Sequence, residues 1–388
     1  MIHTRHLRRV AVVAMTGLVG ALLPLVLASA PAHAADGCLN EGVTGGTLGL
    51  GGTRCDDVTP PETTLGAVTP APNAAGYINV DQVTIAFSGA HRDGDTDPIS
   101  FECQFYNTPS APSTWSSCTS PVSYDDLDDT TSVAYTFKVR AIDSADNGTD
   151  ATAAPPFGSA PSTDLPDLDG TPATTTFSVD TTTPQTYIFN QPFDEERPDL
   201  PMVDTTSPQF RLAATEGAST FRCAIDGEAY PCAEGITTFA NLTPGDKQLT
   251  VVATDKAGNV DPTAATAKFA VPKNVEAPAD GLWKTYTSEK SIGGDYIETK
   301  RYNALVTVNA QNVRELRLIA QTGPKMGSVK VKIGGGNKYQ KVNLYSERVQ
   351  SFAVFIVRDQ FSPLVSGNIQ ILVTSRNKPV RIDAVLAH

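Results

Sequence analysis

Short stretches of alternating apolar and polar residues run along the chain and predict β-strands. The segment 135–141 reads Tyr-Thr-Phe-Lys-Val-Arg-Ala, so one face of its strand is apolar and the other is polar and faces solvent. The segment 329–333 reads Val-Lys-Val-Lys-Ile and predicts a strand whose lysines lie opposite its apolar face. Residues 273–388 show no helical periodicity of useful length, and the 28 prolines suit edges and loops. The pattern predicts an all-β protein.

A duplicated set of strands and turns lies between residues 58 and 272. Each copy has a Phe-x-Cys strand, at 101–103 and at 221–223, followed by a second cysteine. A late strand in each copy ends in an Asp/Asn/Gly turn, at 143–148 and at 255–259. This repetition predicts two sandwiches, at residues 58–180 and 181–272.

Both copies resemble the two-cysteine bacterial Ig-like repeats of exported surface proteins. The second copy matches most fully, through Phe221, Cys223, Asp226, Cys232 and the turn 255–259. The first copy has a longer loop between its cysteines and a Pro/Ala/Asp-rich insertion at 150–169. The resemblance implies tandem Ig-like β-sandwiches that act as spacers or adhesive modules, and it identifies no ligand.

A third unit is expected at residues 273–388. It contains several alternating segments, the glycine turn 334–336 and a closing strand 380–386. It resembles the C-terminal jelly-roll-like modules of exported bacterial proteins, which are similar in general form to galactose-binding-like sandwiches. The resemblance rests on Gly293-Gly294-Asp295-Tyr296, on 323–327 with the lysine-bearing hairpin, and on 381–384. It implies a C-terminal β-sandwich.

The first 34 residues have the pattern of a secretory signal peptide. Arg5, Arg8 and Arg9 precede an apolar run, and Ala32-His33-Ala34 is a small-residue cleavage site. No second apolar run reaches the roughly 18 residues that span a bilayer. The sequence therefore predicts a secreted, extracellular or cell-wall-associated protein with no transmembrane segment in its mature part.

Six cysteines follow the predicted signal peptide, and an even count in an exported chain indicates disulfides. Fifteen connectivities are formally open. The cysteines fall into three close pairs, each inside its own segment, which favours local bonding. The predicted disulfides join Cys38 to Cys55 in an N-terminal segment at 35–57, Cys103 to Cys118, and Cys223 to Cys232.

The net charge of -12 divides unevenly along the chain. Residues 35–272 carry 33 acidic and 10 basic residues, whereas residues 273–388 carry 9 acidic and 17 basic residues. Such a split indicates different roles for the two halves. Exposed ion pairs are weak, and the lysine-rich strand shows no apolar interface. We therefore expect the third unit not to dock onto the acidic repeats.

Signatures of catalysis are sparse, and the sequence predicts a non-enzyme. After the predicted signal peptide the only histidines are His91, in a loop expected to be solvated, and the terminal His388. No nucleophile elbow, zinc-binding helix motif or phosphate loop occurs in the sequence. A carboxylate-based glycoside hydrolase remains the enzymatic alternative.

Two acidic groups are candidates for calcium. Asp93, Asp95 and Asp97 place hard oxygen ligands at alternate positions, although Pro98 breaks the EF-hand pattern. Asp255 with Asn259 and Asp261 is a second candidate, between domains. An acidic hairpin loop without an ion is the competing interpretation, and it is the one the sequence favours.

The third unit offers a basic and aromatic surface for binding. Lys330, Lys332, Lys338 and Tyr339 lie beside the glycine turn and are the predicted ligand-binding residues. The further aromatic candidates are Trp283, Tyr286, Tyr296, Tyr302 and Tyr345. Of these, Trp283 and Tyr302 fit a position in the core as well as they fit a binding site. A basic and aromatic surface suits either nucleic acid or an anionic polymer. Because the protein is predicted to be exported, the expected partner is an extracellular glycan or an anionic cell-envelope polymer, and no nucleic acid is expected. The alternative is a structural or adhesive spacer with no specific ligand.

Overall fold

The computed structural model describes residues 60–92, 98–130, 132–143, 167–195, 197–335 and 338–388. Within these residues the chain is built almost entirely of β-strands, arranged in three units along the sequence. The all-β prediction is confirmed. The predicted signal peptide, the segment 35–57 with Cys38 and Cys55, and the candidate calcium ligands Asp93, Asp95 and Asp97 lie outside the described residues.

The first unit is a sandwich of two sheets around an apolar core. Its strands are β1 (Glu62–Thr69), β2 (Tyr77–Ile78), β3 (Val83–Ala90), β4 (Ile99–Tyr106), β5 (Ser116–Cys118), β6 (Val122–Tyr124), β7 (Tyr135–Asp143), β8 (Asp167–Leu168) and β9 (Ala173–Val179). One sheet has the order β1-β3-β6 and the other β2-β9-β7-β4-β5, with β8 also paired to β7. The alternation in 135–141 is that of β7, where Phe137 and Val139 are fully buried.

The second unit is an antiparallel sandwich of three and four strands. Its strands are β10 (Thr186–Phe189), β11 (Gln209–Ala214), β12 (Thr220–Ile225), β13 (Glu228–Tyr230), β14 (Gly235–Thr238), β15 (Gly245–Thr254) and β16 (Ala265–Val271). The sheet orders are β10-β11-β14 and β13-β12-β15-β16. In constant-type immunoglobulin domains the fourth strand joins the sheet of the first two strands. Here Asp226 and Gly227, both with positive φ, form a tight hairpin that keeps β13 beside β12.

Each repeat has one disulfide near its Phe-x-Cys strand. Cys103 of β4 is joined to Cys118 of β5, and Cys223 of β12 is joined to Cys232, which follows β13. Both first cysteines are buried, because they share the core-facing side of their strands. These are the two pairings within the described residues that the spacing predicts.

The third unit is a sandwich of six and four strands. Its strands are β17 (Lys273–Asn274), β18 (Lys284–Thr287), β19 (Asp295–Thr299), β20 (Leu305–Val313), β21 (Leu316–Thr322), β22 (Ser328–Ile333), β23 (Gln340–Asn343), β24 (Gln350–Arg358), β25 (Val365–Val373) and β26 (Val380–Ala387). The six-stranded sheet has the order β18-β19-β26-β21-β24, with β17 also on β26, and the four-stranded sheet has the order β20-β25-β22-β23. Residues of both sheets, among them Leu318 and Ile371, form one core that includes Trp283.

The second and third units pack against each other. The shared apolar cluster contains Leu200, Met202, Ala270, Ile292, Ile319, Phe352, Ala384 and Leu386. Beside it Arg317 pairs with Asp194 and Glu315, and Glu315 also pairs with Arg197. The expectation that the third unit does not dock is therefore wrong. The interface uses the six-stranded sheet and residues scattered along the chain, which no local apolar run reveals.

Among the described residues, no helix has the length and apolarity needed to cross a membrane.

Candidate functional site

The four-stranded sheet of the third unit has a basic outer face. Val329 and Val331 of β22 are buried in the core, so Lys330 and Lys332 between them face outward. Lys341 of β23 lies directly opposite Lys330 in the register. The four strands of this sheet contain no Asp or Glu. We call Lys330, Lys332, Lys341 and the neighbouring Tyr339 the lysine face.

Tyr339 holds two of these lysines in place. The Lys330 Nζ lies 4.5 Å and the Lys332 Nζ 4.8 Å from the centre of the Tyr339 ring, as in cation–π contacts. The Tyr339 hydroxyl donates to Gln370 Oε1 of β25 at 3.4 Å. The ring therefore positions ammonium groups. Its role differs from that of an open stacking platform for a sugar, because the lysines lie over it.

The positive charges of the lysine face form no ion pair within the part of the chain that the structure describes. Among the described residues no carboxylate forms an ion pair with Lys330, Lys332 or Lys341. Like charges directly opposite each other on neighbouring strands are destabilising. The Lys330–Lys341 pair is such an arrangement, and an anion bound over it would relieve the repulsion.

Amide side chains extend this surface across the sheet. Gln370 is opposite Lys332 in the register of β22 and β25, and Asn368 is opposite Asn309 in the register of β25 and β20. Amides both donate and accept hydrogen bonds, so they suit hydroxyl and carboxylate groups alike. The predicted ligand-binding residues did not include Lys341 or these amides, although their alternation with buried Val342, Ile369 and Val308 is visible in the sequence.

Only some of the residues predicted to bind a ligand lie together on the lysine face. Lys330, Lys332 and Tyr339 come together, whereas Lys338 is exposed beside them and forms no cation–π contact or ion pair with the described residues. Of the other aromatic candidates, Trp283 is buried in the core and carries no surface role. The exposed rings lie elsewhere on the unit: Arg376 lies over Tyr302, and Tyr286 stacks on Tyr296.

The second calcium candidate is held by protein donors. Asp255 accepts hydrogen bonds from the backbone N–H groups of Gly258 and Asn259, and Asp261 accepts them from Thr186 and Thr263. These carboxylates cap turns, and the Asn259 side-chain amide donates to Asp255 Oδ2 at 2.9 Å. The sequence pattern alone does not distinguish carboxylates that bind an ion from carboxylates that cap turns.

A different acidic group forms where the first repeat meets the second. The ligand atoms of Asp180, Glu216 and Asp255 all lie within 4.8 Å of one another. Burial and the Asp255 charge raise the pKa of Asp180. Burial and the charges of Asp180 and Asp255 raise the pKa of Glu216. The group therefore concentrates negative charge at the junction between the repeats.

The terminal histidine belongs to the interface between the second and third units. His388 Nδ1 lies 3.2 Å from Asp246 Oδ1, and its Nε2 lies 3.2 Å from Glu315 Oε2. His388 therefore lies between a carboxylate of the second unit and one of the third, and its role in the described structure is to join the two units.

Comparisons with known proteins give only weak likenesses. No family model matches the chain, and no curated protein matches it. Among solved structures, the fibronectin(III)-like modules of Clostridium thermocellum CbhA are similar to the chain at 11% identity and a TM-score of 0.27, over 54% of this chain and 94% of theirs. Carbohydrate-binding modules of the β-sandwich superfamily have 11% identity and a TM-score of 0.25, over 54% and 99%. A Ca²⁺-stabilised ice-binding adhesin of an Antarctic bacterium has 14% identity and a TM-score of 0.27, over 82% and 74%. With scores this low, none of these likenesses bears on what the chain does.

Proposed function

We propose that this is an extracellular, non-catalytic binding protein whose C-terminal unit attaches to an anionic glycan or other anionic envelope polymer through the lysine face. The observation that carries the proposal is a sheet face whose strands contain no acidic residue and whose three lysines pair with no carboxylate of the described residues, in a chain of net charge -12. The two disulfides of the described residues fit an oxidising compartment outside the cytoplasm.

The contact between the second and third units leaves this face available. The two sheets of the third unit pack on one core, so their outer faces point in opposite directions. The second unit docks on the six-stranded sheet through residues such as Ile319 and Leu386. The lysine face therefore lies on the other side of the sandwich, and the repeats serve as the spacer that presents it.

The proposed chemistry of recognition is electrostatic attraction with hydrogen bonding. Lys330, Lys332 and Lys341 attract spaced negative charges, and the amides of Asn368 and Gln370 bind hydroxyl or carboxylate oxygens. Attraction between exposed charges is screened by salt over about 10 Å at 0.1 M ionic strength. Binding is therefore expected to weaken steeply as salt is added.

The test measures binding of the full chain to polygalacturonate, an anionic polysaccharide, and to neutral dextran, at low and high salt. We expect salt-sensitive binding to polygalacturonate alone. The double variant Lys330→Ala/Lys332→Ala should bind roughly five- to tenfold more weakly, because an exposed ion pair contributes about 0–1 kcal/mol and 1.4 kcal/mol is a factor of ten.

The matched control is Lys300→Ala/Lys378→Ala, which removes the same charge at two exposed positions outside the four-stranded sheet. It should bind like the unaltered chain. Equal losses in both double variants would mean that net charge, and not this face, drives binding. An absence of binding to any anionic polymer would favour the structural or adhesive spacer.

A further inference from the structure

A buried carboxyl group lies on the opposite sheet of the C-terminal unit. Asp383 of β26 is only 2% exposed. Its Oδ1 accepts a hydrogen bond from the Ile292 N–H at 2.9 Å, while its Oδ2 is buried without a hydrogen-bond partner among the described residues. Desolvation by burial raises the pKa of Asp383 to about 7, although the Ile292 N–H and the nearby Ser291 hydroxyl oppose the rise. A buried acceptor without a partner costs free energy.

This carboxyl faces a small cavity of about 250 Å³. The cavity is also lined by Ser288, Ser291, Tyr296, Gln321, Ser351 and Arg381. Ser351 is exposed on β24, which is the edge strand of the six-stranded sheet, so the cavity is reached from solvent there. The lining is therefore mainly hydroxyl, amide and charged groups, with one aromatic ring.

Arg381 is held rigidly at the wall of this cavity. Its Nε pairs with Glu298, and its Nη1 donates to Gln321 Oε1 at 2.6 Å. Its guanidinium also lies 5.4 Å from the centre of the Tyr296 ring, which stacks on Tyr286. A guanidinium group has five N–H donors, so donors remain beyond these two hydrogen bonds. A ligand in the cavity would therefore find hydrogen-bond donors on the Arg381 guanidinium and a hydrogen-bond acceptor on the Asp383 carboxyl.

The combination of groups selects a class of ligand. The fixed positive charge of Arg381 opposes a metal cation in the cavity, and the Asp383 carboxylate opposes an anion. A neutral molecule with many hydroxyl groups both donates to Asp383 and accepts from Arg381 and Gln321. The cavity is below the roughly 300–1,000 Å³ of sites for drug-sized ligands, so it suits a single ring.

We infer that the cavity beside Asp383 binds one neutral sugar ring, with the Asp383 carboxyl accepting hydrogen bonds from its hydroxyl groups. This site is separate from the lysine face and does not rest on the function proposed for that face. The C-terminal unit then has two binding surfaces, one on each sheet. The one beside Asp383 lies next to Ile292 and Ala384, which are part of the contact with the second unit.

The test is saturation-transfer NMR of the full chain with four monosaccharides: glucose, galactose, mannose and N-acetylglucosamine. We expect at least one of them to receive saturation from the protein. Asp383→Asn keeps an acceptor for the Ile292 N–H but removes the free acceptor, and it should weaken binding about tenfold. Ser351→Tyr fills the mouth of the cavity from an exposed position and should abolish binding without disturbing buried groups.

The control Glu347→Gln removes one negative charge at an exposed turn of the same unit and should bind sugar normally. Lys330→Ala/Lys332→Ala should also leave sugar binding unchanged, which separates this site from the lysine face. Absence of binding to all four sugars would overturn the inference, as would binding that survives both cavity variants. A thermal shift caused by calcium chloride and lost in Asp383→Asn, without sugar binding, would overturn it in favour of a cation site.

Discussion

The raised pKa of Asp383 makes the stability of the C-terminal unit depend on pH. The carboxyl has a pKa of about 7 in the folded unit, against 3.8 as its ordinary value. Near pH 4 it is protonated in the folded chain and about half protonated in the unfolded chain, so its cost there is small. As the pH rises toward 7, the unfolded chain releases the proton more readily than the folded one, so stability falls. Above pH 7 the whole cost is present.

The size of this cost follows from the separation of the two pKa values. About three pH units at about 1.4 kcal/mol each give an upper value of about 4 kcal/mol at pH 8. Asp383→Asn cannot ionise and keeps an acceptor for the Ile292 N–H. The variant should therefore match the unaltered chain at pH 4 and be more stable at pH 8, by up to about this amount.

The assay is urea unfolding between pH 4 and 8, followed by tryptophan fluorescence. The chain has two tryptophans, and Trp283 is buried in the core of the C-terminal unit. Trp115 lies in the first unit, where Arg140 stacks on it. A Trp115→Phe background therefore makes the signal report on the C-terminal unit. A stability difference that does not change with pH, or a less stable variant at pH 8, would refute the reasoning.

Three further expectations concern the repeats and the interface. Glu216→Gln should stabilise the second unit at pH 7 but not at pH 4, because the pKa of Glu216 is raised by burial and by neighbouring carboxylates; denaturant unfolding at the two pH values tests this. Replacing both Cys223 and Cys232 by Ala should cost very roughly 3 kcal/mol through the unfolded chain, measured as a lower melting temperature of the second unit, and an unchanged melting temperature would contradict it. Arg317→Ala should cost about 2–5 kcal/mol, since it leaves buried Glu315 without one of its partners; calorimetry that shows no loss would make this ion pair dispensable.

Much of the lysine face was predictable from local sequence. The alternation of Val329 and Val331 with Lys330 and Lys332 assigns the lysines to the outer face, and the structure places them there. The position of Lys341 opposite Lys330 depends on how the glycine turn sets the register between β22 and β23, which the alternation alone leaves open. The cation–π contacts of Tyr339 depend on the same register.

The site beside Asp383 was not predictable in this way. In the closing strand Asp383 looks like a polar residue on a solvated face, because Ile382 before it points into the core. Its Oδ1 instead accepts a hydrogen bond from the Ile292 N–H, 91 residues earlier in the chain. Contacts between residues so far apart leave no local pattern. The same is true of the interface in which Arg197 pairs with Glu315.

Amide hydrogen exchange of the full chain, with and without saturating polygalacturonate, tests the lysine face most directly. If the polymer binds there, exchange should slow in residues 328–333 and 338–343, the strands that carry Lys330, Lys332 and Lys341. Residues 316–322 of the six-stranded sheet should exchange as before, since that sheet faces the second unit. Protection confined to the six-stranded sheet or to the repeats, with 328–343 unchanged, would contradict the account.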